Sequence, residues 1–247
     1  VGVLVVEHAR GEGPYKLGEA LSAAGLRMLL CQVWAGDPVP ETLTDVDALV
    51  VMGGAQAAYS DDGFPSRHAE LESLRMALAD EVPVLGICLG AQLLALAAGG
   101  TARVGSGLQL GWGEVAFSPE ADCDPLLSDT PERLRVLSWH GDTMDLPEKA
   151  VLLASCDRYP VQAFRVGRAA WGLQFHLEVD EVAVDAFLGT ASPQEVAAAP
   201  RLREETPGEL TVLAPHRDRV FARFAALVAD RTELTATRTF FTPRTDA

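Results

Sequence analysis

Four runs of strand length are apolar almost throughout: Val3 to Val6, Leu26 to Val33, Ala48 to Met52 and Val82 to Ile87. A strand apolar on both faces needs cover on both, which is the condition of a parallel sheet between helical layers. Helix-like stretches separate the runs, Tyr15 to Ala24 and Ser66 to Ala79, the second mixing Ala69, Leu71, Leu74, Met76 and Leu78 with charges. Strand alternating with helix predicts βαβ units and an α/β chain with an open, mostly parallel twisted sheet and helices on both faces. After Gly100 the texture shortens into strand-like pieces at Leu108 to Phe117, Leu134 to Trp139, Val151 to Ala154, Val161 to Val166 and Ala169 to Phe175, some of them expected to run antiparallel. From Asp180 the spacing becomes helical, with Val182, Ala186 and Phe187, then Val220, Phe221, Phe224 and Leu227. At 247 residues, the expectation is a single domain over 1–230 with a Thr-rich, loosely held tail over 231–247.

Charge and cysteine usage remove several function classes. Lys and Arg number 20 against 35 Asp and Glu, a formal charge of −15, so most of the surface repels phosphate backbones and anionic membranes. Val82 to Ala102 carries no charge, but Pro83, Gly86, Gly90, Gly99, Gly100 and Gln92 divide it into strand, turn and helix rather than a membrane span. The run Val1 to Val6 is too short for a signal-peptide core. Four cysteines at 31, 88, 123 and 156 form no CxxC pair, so no metal site or disulfide framework is expected and the expected compartment is the cytoplasm.

One of those cysteines has a special frame. In Gly86-Ile-Cys88-Leu-Gly90-Ala-Gln92, a strand runs into a sharp turn flanked by glycines two residues on either side, the logic of a nucleophile elbow with sulfur for oxygen. The following helix, Gly90 to Ala98, turns its positive end toward the sulfur and favours thiolate. Cys31, Cys123 and Cys156 lack such a frame and read as packing residues. Far downstream, Gly172-Leu-Gln-Phe-His176-Leu-Glu178 places His176 and Glu178 two residues apart, on one face of a strand. Glu178 can orient the ring while His176 takes the sulfur's proton. A third element, Gly53-Gly54-Ala55 at a strand end, can expose backbone N–H groups to a ligand, so Gly54 and Leu89 N–H are the expected pair of oxyanion donors. Four other histidines have weaker frames: His140 is a rival base placed in a turn, His8 follows the first strand as a loop residue at the ligand edge, and His68 and His216 read as surface.

These three motifs, in this order, resemble the class I glutamine amidotransferases of the Cys-His-Glu type, over about Val3 to Val179. Ser138-Trp-His140-Gly-Asp142 and the Gly172-Leu-Gln-Phe lead-in resemble the stand-alone, GMP-synthetase-like domains of that family. The resemblance implies a flavodoxin-like fold, catalysis by Cys88, His176 and Glu178, and substrate contacts from Gly53, Gln92, Trp139, His140, Gly141 and Asp142. It also implies release of ammonia from glutamine through a glutamyl thioester, with no cofactor and with a separate ammonia-accepting synthetase as partner. The sequence departs from the family pattern at Leu177 and Ala55, both usually Pro, and at the bulky Trp139. Two alternatives share the fold: a γ-glutamyl peptidase-like hydrolase with a larger leaving group, and a non-catalytic regulatory subunit. A strained elbow argues against the last, since a binding surface has no use for one.

Overall fold

The computed structural model describes residues 2–240, with side chains described through residue 231. Nine strands form one sheet in the order β2-β1-β3-β4-β9-β8-β7-β5-β6. Its first half is parallel: β1 (Gly2–Glu7), β2 (Met28–Gln32), β3 (Val46–Val51), β4 (Val84–Ile87) and β9 (Ala170–Leu173). The second half is antiparallel, through β8 (Ala163–Val166), β7 (Val151–Ser155), β5 (Thr101–Phe117) and β6 (Arg133–Asp145). The antiparallel strands all come from the region whose shorter, punctuated runs suggested them.

The two-residue period of the strands sends alternate side chains into two cores. Val3 and Val5 of β1 pack with Leu17 and Leu21 of α1 (Tyr15–Ala23), with α4 (Glu181–Thr190), and with Phe221 and Phe224 of α6 (Leu202–Phe240). Leu4 and Val6 face the other way, onto Leu71 and Leu74 of α2 (Arg67–Ala79) and Leu93 and Leu94 of α3 (Leu89–Ala97). Helices therefore cover both faces, as the doubly apolar strands require. A short helix α5 (Pro193–Ala198) links α4 to α6 and opens with a capping box between Ser192 and Glu195.

Several local expectations give way to tertiary pairing. The strand reading ended at Trp139, but β6 continues to Asp145 because the early half of β5, too glycine-rich to read as strand, pairs with it across a register shift between Val104 and Gln109. His140 consequently lies inside a strand and not in a turn. The strand expected to carry His176 stops at Leu173, and an isolated bridge to Leu137 holds His176 instead. Val182, expected on the buried face of its helix, is exposed, and so is Cys123. Helix α6 extends to Phe240 despite Pro207 and Pro215, and 241–247 of the expected tail lie outside the described residues.

The parallel half fixes where a ligand can enter. Strand order reverses between β1 and its neighbours β2 and β3, and the loops after β1, β3 and β4 leave from that edge. The packing there is backbone on backbone: a Cβ on Gly90 would overlap the Val51 carbonyl at the end of β3, and one on Gly86 would overlap the Gly90 carbonyl. Replacing Gly90 with Ala should destabilise the fold by about 3 kcal/mol or more in denaturant unfolding, since backbone must move to admit it. Gly189 in α4 has open space around it, and Gly189→Ala should instead add about 0.5–1 kcal/mol.

Candidate active site

Cys88 occupies the single residue between β4 and α3, at φ 52° and ψ −105°. This backbone region is costly for any residue with a Cβ and persists only where surroundings impose it. They do so here. The Cys88 N–H donates to the Leu173 carbonyl of β9 at 2.8 Å, while the Cys88 carbonyl accepts from Ala91 and Gln92 in the first turn of α3. The two glycines let that turn sit against β3. Sulfur is thereby held at the positive end of a helix.

His176 arrives from the extended segment after β9. Its N–H donates to Leu137 at 2.8 Å, which ties the antiparallel half of the sheet to the end of the parallel half. Its Nδ1 faces Glu178 Oε1 at 2.6 Å, both side chains almost wholly buried. A hydrogen on Nδ1 leaves Nε2 as the atom available to Cys88. Burial is the largest influence on this imidazole and opposes its charge. The Glu178 carboxylate and the hydrogen bonds to Cys88 and Glu178 together outweigh it, and hold the ring's pKa well above the usual histidine value.

Around Cys88 and His176 opens a cavity of about 430 Å³. Of the residues singled out by sequence, Gly54, Leu89, Gln92, Trp139, His140, Gly141 and Asp142 line it, whereas Gly53 lies beneath the surface against His176 and Cys88. Among the described residues neither the Gly54 N–H nor the Leu89 N–H donates to a protein acceptor. Gln92 is buried and donates to Gln174, whose own amide donates to Cys88 Sγ at 3.7 Å. The Cys88 thiol in turn approaches the Trp139 carbonyl at 3.7 Å. On the rim, Tyr59 donates to Asp142, whose pKa burial raises despite that bond.

Sequence reading gave no site role to four residues, Gln174 buried behind the cavity and Glu12, Phe187 and Glu195 in its wall. Gln174 stands two positions before His176, so the same alternation that pairs His176 with Glu178 predicts that it shares their face. Glu12 comes from the loop after β1, and burial, against the pull of His176 and His8, raises its carboxyl pKa. Phe187 of α4 meets the rings of both His176 and Trp139 edge-on at 5.2 and 5.6 Å. Glu195 of α5 accepts from Trp139 Nε1 at 3.1 Å. The bulk of Trp139 is accommodated by helices that no local motif relates to it. No group of three or more His, Cys, Asp or Glu among the described residues is arranged to hold a metal ion, and no described helix is long and apolar enough to cross a membrane.

The family model for glutamine amidotransferase class-I matches residues 17–188. The chain belongs to that family. It is 31% identical over 172 residues to the glutamine amidotransferase-like protein YfeJ of Salmonella typhimurium, covering 68% of this chain and 71% of that one. To the glutamine-hydrolysing GMP synthase of Porphyromonas gingivalis it is 34% identical over 152 residues, 60% of this chain but only 28% of that protein's length. A glutamine amidotransferase crystal structure from Thermotoga maritima superposes with a TM-score of 0.81 at 30% identity, covering 91% of this chain and 98% of that one. The class I amidotransferase fold thus extends well beyond the matched motifs, through most of the helical C-terminal region.

His140 gives this site a measurable acid signature. Its Nδ1 donates to the Asp142 carbonyl at 2.9 Å, and its Nε2 is buried with no hydrogen-bond partner among the described residues. Burial, against the Asp142 bond, lowers its pKa to about 4, so the folded ring stays neutral where the unfolded one, near 6.5, takes up a proton. Stability is therefore full above pH 6.5 and falls as pH drops toward 4, by about 3 kcal/mol from this residue. His140→Asn keeps a donor for Asp142 and should flatten that part of the pH–stability curve measured by urea unfolding.

Proposed function

We propose that this amidotransferase hydrolyses the carboxamide of glutamine with Cys88 as nucleophile, His176 as general base and acid, and Glu178 as the group that orients and stabilises His176. The observation that carries the reading is the convergence of a backbone-strained cysteine and a buried His–Glu pair 2.6 Å apart at one cavity. The sulfur adds to the carboxamide carbon as its proton passes to His176 Nε2. The resulting oxyanion is met by the Gly54 and Leu89 N–H groups. His176 then gives its proton to the departing nitrogen, the C–N bond breaks, and ammonia leaves a glutamyl thioester. Water, deprotonated by His176, adds to the thioester, and glutamate departs as the thiol is restored. Gln92 and the backbone of Trp139 to Asp142 supply contacts to the rest of the substrate. Gly53 acts from below as support for this wall.

The catalytic unit in this reading is one domain over 1–230, with 231–247 outside it. A separate, cytoplasmic ammonia-accepting synthetase is the proposed partner. The match to under a third of a GMP synthase supports this, because the remainder of that protein lies outside the shared unit. The cavity volume also favours a second reading, a γ-glutamyl amide with a leaving group larger than ammonia, because about 430 Å³ falls within the range of sites that take whole drug-sized ligands. Steady-state kcat/KM for glutamine against γ-glutamyl dipeptides separates the two, and a clear preference for dipeptides selects the second.

Cys88→Ala should lose at least about 10³-fold in glutaminase kcat with the fold intact by circular dichroism. Glu178→Gln should lose less than His176→Ala, since the amide still orients the ring while its charge is gone. Residual activity within a few-fold of wild type in Cys88→Ala rules out the nucleophile. Covalent labelling by a glutamine-like electrophile that disappears in Cys88→Ser excludes a non-catalytic regulatory subunit.

A further inference from the structure

A second buried His–Glu pair lies behind the Gly53–Gly54 turn. His8, the residue after β1, is wholly buried at its side chain, as is Glu70 of α2, and the two meet with His8 Nε2 2.7 Å from Glu70 Oε2. The other ring nitrogen, Nδ1, lies 3.0 Å from the Gly53 carbonyl oxygen. A carbonyl can only accept, so Nδ1 carries the hydrogen and donates it. Phe64 stands edge-on to the ring at 5.6 Å and closes its remaining side. Sequence reading placed His8 in a loop at the ligand edge of the sheet. The structure puts it beneath the loop, and it does not line the cavity.

The Gly53 carbonyl and the Gly54 N–H belong to one peptide group. No described peptide bond is cis, and in a trans peptide the C=O and N–H point in opposite directions. Holding the oxygen on His8 therefore holds the N–H of Gly54 pointing away from His8. Gly54 itself faces the cavity, and its N–H has no protein acceptor among the described residues. Two glycines in succession leave this peptide free to rotate, so something outside the turn must choose its orientation. Among the described residues His8 is the side chain that bonds to it, and Glu70 holds His8.

We propose that His8 is a positioning residue for the oxyanion site: its Nδ1–H on the Gly53 carbonyl, braced by Glu70, fixes the Gly53–Gly54 peptide so that the Gly54 N–H meets the developing oxyanion. This rests on the assignment of Gly54 as an oxyanion donor. Donation to the carbonyl also draws electron density from the amide and makes the opposite N–H a better donor. Such a donor contributes only once the oxyanion forms. Its loss lowers kcat and leaves KM nearly unchanged.

The test compares His8→Asn, His8→Gln and His8→Leu in glutamine hydrolysis, with iodoacetamide alkylation of Cys88 measured alongside. Asn carries an amide N–H at the bond distance of Nδ1 from Cβ and should keep kcat within about 5-fold of wild type. Gln carries it one bond farther, at the position of Nε2, and should lose about 10- to 100-fold in kcat, as should Leu, with KM within about 2-fold. Alkylation forms no oxyanion, so its rate should be the same in all four proteins, whereas a general loosening of the elbow would slow it in parallel with turnover. The Asn–Gln pair retains a polar group in the buried site and carries the test where Leu does not fold. Equal kcat for Asn and Gln, or alkylation falling in step with kcat, overturns the role of His8. Wild type that hydrolyses neither glutamine nor a γ-glutamyl amide overturns the proposed function with it, an outcome distinct from either of these.

Discussion

The packing of the first turn of α3 against the end of β3, with no side chain between Gly90 and the Val51 carbonyl, is the constraint on which the site depends. Because the helix begins that close to the sheet, the chain leaving β4 must reverse within one residue, and Cys88 takes up a left-handed φ to do it. The same approach brings the helix N-terminus up to the sulfur and leaves the Leu89 N–H without an acceptor among the described residues. Strain, electrostatics and exposed donor thus have one cause. The cost of the Cys88 backbone, of order 1–3 kcal/mol, is offset by hydrogen bonds from β9 and α3 and by fully apolar packing on both faces of β4.

Around that bend the two halves of the sheet contribute different parts. The parallel half supplies the elbow and the Gly53–Gly54 turn, both at strand ends where helices leave room for a ligand. The antiparallel half supplies the Trp139 to Asp142 wall and, through Leu137, the anchor for His176. Two buried His–Glu pairs flank the result. In each, one ring nitrogen is committed to a carboxylate. The other is aimed at the site, directly at sulfur in the case of His176 and through a peptide group in the case of His8. Three carboxyl-bearing side chains, Glu12, Asp142 and Glu195, stand in the cavity wall among the described residues.

Much of this was legible along the chain because it is local. Doubly apolar runs announce strands covered by helices, glycines at fixed offsets announce the elbow, and a His-x-Glu pair announces two groups within reach of each other. Legibility failed where an element owes its state to a distant partner. The first half of β5 contains two glycines in three residues, Gly105 and Gly107, and becomes a strand only because β6 offers it a ladder. Cys123 and Val182 resemble core residues in their immediate context but meet no neighbouring layer. His8 resembled a loop residue because nothing near it in sequence reveals that α2 will place Glu70 against it.

The sequence by itself determined the alternation of strand and helix, and the amidotransferase motifs and their order, since each depends on spacings of a few residues. Only the tertiary structure decided which nitrogen of each histidine is committed, that His140 lies buried and neutral within a strand, that α4 and α5 close over Trp139, and that Gly53 supports the cavity from below. Those outcomes depend on contacts between residues tens of positions apart, and a side chain's protonation and direction follow from what surrounds it rather than from what precedes it.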